Sequence, residues 1–208
     1  MSVTSLSLLQ YSYLLLIMAL IFYDFETTGL NPFHDKIIEY SFNKSNTNES
    51  LSNLVNPETS IMPIITKITN ITNEMLQQEA PLMDHMKVLE EFLGEPNLMF
   101  VAHNGDGFDR FFLKRLASRS EKLQSVIHTW KYFDTIHMSK LVFPKRRSHS
   151  LKNLCNDLMI SPGTHRAHDD TMALKELFNK MVNILAKQDP ETKKILIENP
   201  LNLWNIIY

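Results

Sequence analysis

The sequence predicts an α/β protein, with one sheet flanked by helices. Short apolar segments rich in β-branched and aromatic residues are typical of buried strands. Longer segments, in which apolar residues recur every three or four positions, are typical of helices that pack one face against a sheet. The chain has 208 residues, of which 44% are hydrophobic, and this is enough for one domain with a substantial core.

The strands are predicted from apolar runs that end at polar or turn-forming residues. The first run leads into YDFET, the second is IIEYSF, and the polar segment SNTNES separates the second from the third. We predict strands at about residues 20–26, 37–43, 51–56, 98–103 and 130–133.

The helices are predicted from apolar faces. Phe112, Leu113 and Leu116 share a face in one segment, and Leu174, Leu177 and Met181 share a face in the longest segment. We predict helices at about residues 73–78, 83–93, 109–119, 135–141, 150–158 and 167–185.

Two carboxylates interrupt the first predicted strand. Asp24 and Glu26 are two positions apart, so their side chains point to the same face of the sheet. Burying two unpaired anions would cost about several kcal/mol or more. A divalent cation would compensate them, although an Asp-x-Glu pair on a solvated strand face is the common alternative.

Two further carboxylates lie on the apolar faces of predicted helices. Asp109 lies one turn before Phe112 and Leu113, and Asp170 lies on the same face as Leu174. The neighbouring Asp169 points to solvent. Each inward carboxylate could instead be a first-turn residue that the helix N-terminus satisfies.

A histidine precedes the last of these acids. His165 lies five residues before Asp170, in the loop SPGTHRAH, from which it can lean over the same cluster. A neutral imidazole near bound metal could accept a proton from water at ordinary pH. The alternative is an ordinary histidine in a surface loop.

This ordered set resembles the DEDDh family of 3′ to 5′ exonucleases. The resemblance rests on Asp24-x-Glu26, on HNGDGFD ending in Asp109, and on His165 with Asp170, and it covers about residues 19–185. The second motif is most similar to that of the animal three-prime repair exonucleases. The resemblance implies a ribonuclease H-like fold, a mixed five-stranded sheet flanked by helices with acids on the central strand.

The resemblance also implies a two-metal mechanism. Asp24, Glu26 and Asp170 would hold one Mg²⁺ or Mn²⁺, and Asp24 would bridge to a second ion supported by Asp109. Oxygen ligands of this kind suit hard cations and not zinc. His165 would be the general base, and each cycle would release a nucleoside 5′-monophosphate.

Substrate contacts are expected to be local, because the formal net charge of −2 does not fit a protein that binds nucleic acid over its whole surface. The best basic run is KRR at residues 145–147. Phe25 and Phe108 border the acids, but they could simply belong to the core. The candidate substrate-binding residues are Phe25, Thr27, Leu30, His103, Asn104, Phe108, Arg146, Arg147 and Arg166.

Three functions are compatible with these residues. The favoured one is removal of nucleotides from the 3′ end of DNA, single-stranded DNA above all, in repair, degradation or proofreading. The alternatives are an RNA 3′ to 5′ exonuclease on the same scaffold and a non-catalytic nucleic-acid-binding adaptor. A homodimer and a separate polymerase partner both remain open, and we expect an intracellular protein, cytoplasmic or nuclear.

The chain ends and the single cysteine complete the expected organisation. Cys155 shares a helical face with leucines, and a lone cysteine allows neither a disulfide framework nor a structural zinc site.

The first charged residue is Asp24, and an uncharged apolar stretch that runs into the acidic strand fits neither a signal peptide nor a membrane span. We expect an extension at residues 1–17 with Met18 as an alternative start, an exonuclease domain at 18–186, and an apolar tail at 187–208 that packs on the body or docks to a partner.

Overall fold

The computed structural model describes residues 20–47 and 49–188. The predicted N-terminal extension, the alternative start at Met18, and nearly all of the predicted C-terminal tail lie outside the described residues.

Five strands form one mixed sheet, as predicted. The order across the sheet is β3-β2-β1-β4-β5; β1 pairs antiparallel with β2 and parallel with β4. The β2–β3 pair is antiparallel and the β4–β5 pair is parallel. The strands are β1 (Leu20–Thr27), β2 (Ile37–Lys44), β3 (Ser50–Leu54), β4 (Met99–Ala102) and β5 (Lys131–Asp134). The strand with the two acids is therefore the central strand.

Helices cover both faces of the sheet. The described helices are α1 (Pro63–Thr69), α2 (Asn73–Gln77), α3 (Met86–Leu93), α4 (Asp109–Ala117), α5 (Glu121–Val126), α6 (Thr135–Val142), α7 (Leu151–Asp157) and α8 (Ala167–Gln188). The predicted helix at 83–93 begins as a 3-10 turn, Leu82–His85, before it becomes α3.

Two short helices, α1 and α5, were not predicted. The sequence of α1 is PIITKIT, whose β-branched residues have low helix propensity, and a proline in its first turn starts the helix instead. Helix α5 has six residues and is capped by Ser120, whose hydroxyl accepts a hydrogen bond from the Leu123 amide. A single capping residue does not produce the repeating apolar pattern from which helices are predicted.

The two faces of the sheet bury the two larger of three hydrophobic clusters in the described residues. Leu20 and Phe22 of β1 pack against one core that includes α8, and the rings of Phe22 and Phe178 lie 5.4 Å apart. Tyr23 and Phe25 point to the opposite face, where α3 and α4 pack. Because side chains alternate along a strand, the acids of β1 lie on the α8 side.

The pairing of β1 leaves room for a site at its carboxyl end. Only Leu20, Ile21 and Phe22 pair with β4, so the later half of β1 extends past that neighbour. The chain after β4 turns here into the loop that leads to α4, and α8 begins nearby against β2. The end of β1 is thus where two helices start beside a strand edge that β4 leaves unpaired.

Candidate active site

The acids of β1 are half-buried and mutually repulsive. Burial raises the pKa of Glu26 to about 8, and the charges of Asp170, Glu39 and Asp109 add to the increase. Burial also raises the pKa of Asp24 well above its usual value, with repulsion from Asp109 and Glu26 as the next causes. Without a counter-charge, burial and mutual repulsion favour the protonated forms of these carboxylates.

Asp109 is the first residue of α4 and is only 5% exposed. Burial raises its pKa to about 7, while hydrogen bonds from the backbone amides of Phe25 and of Asp109 itself oppose the increase. Its Oδ1 is buried and has no hydrogen-bond partner among the described residues. Buried polar atoms are normally paired, so this oxygen is suited to a ligand.

The loop before Asp109 passes very close to it. A Cβ at Gly105 would lie 2.5 Å from the Cβ of Ala102 and 3.2 Å from Oδ2 of Asp109. Glycine is therefore needed at this position for the loop to pack against the carboxylate.

Asp170 and His165 approach Glu26 from the start of α8. One ligand atom from each of these three residues lies within 4.8 Å of the other two. Burial raises the pKa of Asp170 to about 6, and the nearby His165 lowers it in part. Asp169 is exposed, so the two neighbouring acids are oriented as the helical pattern predicts.

The backbone at Gly163 lies directly against the Asp170 carboxylate. A Cβ built at this position would overlap Oδ1 of Asp170. This contact fixes where the Asp170 carboxylate points, and any larger residue would have to displace it.

These residues fit a divalent cation. The site combines carboxylates from three separate segments, an unpartnered buried oxygen and raised proton affinities, and a bound cation would relieve all of these features. Carboxylate oxygens are ligands that Mg²⁺ and Mn²⁺ accept readily.

The candidate substrate-binding residues differ in accessibility. Leu30 is 83% exposed, and Asn104 and Arg147 are also exposed. Phe25 is 3% exposed within the core of the α4 face, which favours the core alternative for its side chain. Thr27 is buried as well, and its hydroxyl donates to the carbonyl of Gly29 at 2.6 Å.

His103 and Phe108 belong to the loop between β4 and α4. The ring of His103 is held at both nitrogens, with Nδ1 2.8 Å from Thr135 Oγ1 and Nε2 2.7 Å from the carbonyl oxygen of His149. Phe108 is half-buried, and its ring centroid lies 5.0 Å from that of Phe112.

Two of the candidate arginines are engaged within the protein. Arg146 donates to the carbonyls of Ser148 and Asn153 at 2.6 and 2.8 Å. Arg166 donates to the carboxylate of Glu39, with its shortest contact at 2.7 Å. Arg147 is the exposed member of this group.

Sequence reasoning missed two acids beside the site, Glu39 and Asp134. Glu39 lies in the apolar run of β2, and the argument that singled out Glu26 would have found it. Asp134 is 2% exposed at the end of β5, and its carboxylate accepts hydrogen bonds from the amides of Asn104, Asp106 and Ile136. It therefore caps α6 and holds the loop that leads to Asp109.

A known family matches most of the chain. The profile of the exonuclease family RNase_T matches residues 21–178, which include all four acids and His165. The chain belongs to this family. Its predicted membership of the DEDDh exonucleases is confirmed, while the finer resemblance of the second motif to the animal three-prime repair exonucleases stays a prediction.

Curated relatives of this exonuclease domain include bacterial replication proteins. This chain is 32% identical over 191 residues to a DNA polymerase III subunit epsilon of Treponema pallidum. The match covers 85% of this chain and 86% of the relative. This chain is 33% identical over 164 residues to a PolC-type DNA polymerase III of Mycoplasma genitalium. That match covers 76% of this chain but only 11% of the relative.

Solved structures share the fold. Exonuclease I of Methylocaldum szegediense superposes with a TM-score of 0.68 at 18% identity, over 88% of this chain and 43% of the other. Exonuclease X in complex with 5′ overhanging duplex DNA superposes with a TM-score of 0.57 at 21% identity. The match covers 79% of this chain and 91% of the other. The ribonuclease H-like fold that was predicted is thus confirmed.

Within residues 20–47 and 49–188, no helix has the length and apolar character needed to cross a membrane.

Proposed function

We propose that this exonuclease-family domain is a metal-dependent 3′ to 5′ exonuclease that removes nucleoside 5′-monophosphates from the end of DNA. The observation that carries the proposal is the convergence of Asp24, Glu26, Asp109, Asp170 and His165 from β1, α4 and the start of α8. All four acids have raised pKa values, so the cluster is electrostatically incomplete as an isolated protein site.

Two Mg²⁺ or Mn²⁺ ions would supply the missing charge. Glu26 and Asp170, with Asp24, would hold one ion, and Asp24 with the unpartnered Oδ1 of Asp109 would hold the other. When bound, such ions acidify water and stabilise the negative charge of a phosphodiester during hydrolysis.

His165 would take the proton from the attacking water. It is exposed on the loop before α8 and lies beside Glu26 and Asp170, so a water molecule at the site can reach its ring. An imidazole changes charge near neutral pH and can therefore both accept the proton and release it to solvent.

DNA is favoured over RNA by the relatives. Both the epsilon subunit and the PolC-type relative are named as DNA polymerase III proteins, and one solved structure of similar fold is E. coli exonuclease I with a dA16 oligonucleotide. Leu30, Asn104 and Arg147 are the exposed candidates for contact with a 3′-terminal nucleotide. A polymerase partner or a homodimer would fit the same domain.

The test follows shortening of 5′-labelled single-stranded DNA and matched RNA in the presence of Mg²⁺. We expect stepwise loss from the 3′ end with DNA as the faster substrate. Asp24→Ala and His165→Ala should abolish it. His168→Ala is the matched control, because this exposed histidine three residues away is outside the cluster.

Each alternative has its own outcome. Faster shortening of RNA would favour the RNA exonuclease. Binding of both oligonucleotides without shortening would favour the non-catalytic adaptor. Shortening that survives Asp24→Ala would refute the proposed site.

A further inference from the structure

A buried acid that the proposed mechanism does not use lies next to the site. Glu39 is 4% exposed in β2, directly opposite Glu26 in the strand register. Its carboxylate accepts from Arg166 Nε at 3.1 and 3.2 Å, from Arg166 Nη2 at 2.7 Å, and from the Ala167 amide at 2.8 Å. One carboxylate thus binds both a side chain and the first amide of α8.

Through these contacts, a residue of strand β2 caps the N-terminus of helix α8. The first turn of a helix has amides without intrahelical partners, and a negative charge there is favourable. Glu39 fills this role for Ala167, while the carbonyl of Arg166 accepts from the Asp170 amide at 3.0 Å. The position of Asp170 is therefore tied to Glu39.

The same contacts fix the residue before the helix. His165 is directly followed by Arg166 and has a φ of 58°, in the left-handed region that residues with a Cβ rarely adopt. Its side chain is exposed, so core packing does not hold it. The His165 amide donates to the Asp170 carboxylate, and the guanidinium of the next residue, Arg166, is fixed to Glu39.

Stability alone is a weak reason for an ion pair at this position. A buried pair gains little over well-packed apolar residues, because desolvation cancels much of the attraction. Glu39 also adds a negative charge beside Glu26 and Asp170, which are already crowded with acids. A directional contact with two parallel hydrogen bonds offers geometry that an apolar pair would not.

We propose that Glu39 and Arg166 form a clamp that positions His165 and Asp170 relative to each other, and that Arg166 serves this purpose and does not bind substrate phosphate. The inference rests on the proposed exonuclease function. Both are positioning residues, since they act through His165 and Asp170.

The test compares steady-state DNA hydrolysis by Arg166→Met, Arg166→Lys and Glu39→Gln variants. We expect Arg166→Met to lower kcat about ten-fold or more with KM within about two-fold, because displacement of a catalytic group by about 1 Å has effects of this size. Arg166→Lys should recover part of kcat, since one of the contacts to Glu39 can form again.

Arg147→Met is the comparator for a phosphate contact. This exposed arginine should affect KM and its salt dependence with little change in kcat. If Arg166→Met instead behaves like Arg147→Met, Arg166 binds substrate and the clamp is refuted.

The double variant shows whether Glu39 and Arg166 act together as one clamp or independently. If Glu39 and Arg166 act as one clamp, Glu39→Gln with Arg166→Met should lose no more kcat than the worse single variant. Losses that multiply would overturn the proposal. Thermal melting identifies any variant that fails to fold, and Arg166→Lys and Glu39→Gln then carry the test, since each retains part of the contact.

The wild-type reaction separates this inference from the function on which it rests. If wild-type protein does not shorten DNA, the proposed function fails. If it does and Arg166→Met has normal kcat and KM, only the clamp fails.

Discussion

Replacing Glu26 with glutamine should stabilise the metal-free protein while it destroys the proposed metal site. Glu26 is half-buried, and its pKa is raised from 4.5 to about 8 by burial and by neighbouring acids. Glutamine has nearly the same shape and no charge. The variant therefore removes the cost of ionising this position and leaves the packing of β1 in place.

The sign of the pH dependence follows from the raised pKa. The folded protein holds the Glu26 proton more tightly than the unfolded chain, so this stabilisation is complete below about pH 4.5 and is lost as the pH rises towards about 8. Integrated to pH 8, the loss is at most about 4 kcal/mol. Neighbouring carboxyl groups relax by taking up protons when Glu26 ionises, so we expect a gain of about 2 kcal/mol for Glu26→Gln.

Thermal melting of metal-free protein at pH 5 and pH 8 measures this effect. A gain of about 2 kcal/mol corresponds to about 4–8 °C in Tm for a domain of this size, and at pH 5 most of it should disappear. Millimolar Mg²⁺ should stabilise only the wild-type protein, so its Tm should then exceed that of Glu26→Gln. Glu91→Gln is the matched control, because Glu91 is exposed on α3.

One result would refute the reasoning. If the advantage of Glu26→Gln is the same at pH 5 and pH 8, the carboxylate does not ionise against its neighbours. The cluster would then not be an electrostatically strained metal site.

Three further predictions concern the surroundings of the site. Gly163→Ala should displace the Asp170 carboxylate and abolish the Mg²⁺-dependent thermal shift, whereas Gly107→Ala, where a Cβ meets no atom within 4 Å, should retain the shift. Asp134→Ala should lower the free energy of unfolding by about 1–3 kcal/mol in urea titrations, because the partly buried amides of Asn104 and Asp106 lose their acceptor. Cys155 should resist iodoacetamide at pH 8 until the protein is unfolded, since it is buried and burial raises its pKa to about 11.

Each of these predictions has a contradicting outcome. A normal Mg²⁺ shift in Gly163→Ala would mean that Asp170 does not need its present position. An Asp134→Ala variant as stable as wild type would remove the capping role, and rapid labelling of native protein would show that the Cys155 thiol is accessible.

The fold was largely predictable because its strands and longer helices have strong periodic patterns. All five strands and the helix from Ala167 appear close to their predicted positions. The two missed helices, α1 and α5, have seven and six residues. A proline marks the start of α1 and a serine cap marks the start of α5. In a sequence, both signals are hard to distinguish from those of ordinary turns.

The proximity of the four acids was predictable because a charged residue on an apolar face is visible in sequence. Asp24, Glu26, Asp109 and Asp170 interrupt apolar faces, and the structure brings these faces to one end of β1. The engagement of arginines was not predictable in the same way. Arg146 and Arg147 are adjacent and chemically alike, yet the first bonds to backbone carbonyls and the second is exposed, and only the path of the loop decides between them.

Glu39 shows that one sequence signal can have two structural causes. Glu26 and Glu39 are both glutamates in apolar strands, and they lie opposite each other in the β1–β2 pair. Glu39 has the guanidinium of Arg166 against it, whereas the dominant neighbours of Glu26 are other acids. A buried acid paired with a fixed cation ties two elements together, and a buried acid among other acids is the one that would gain from a cation supplied from outside the chain. The pattern of the sequence therefore establishes that an acid is buried, and the partner brought by the fold decides what that acid does.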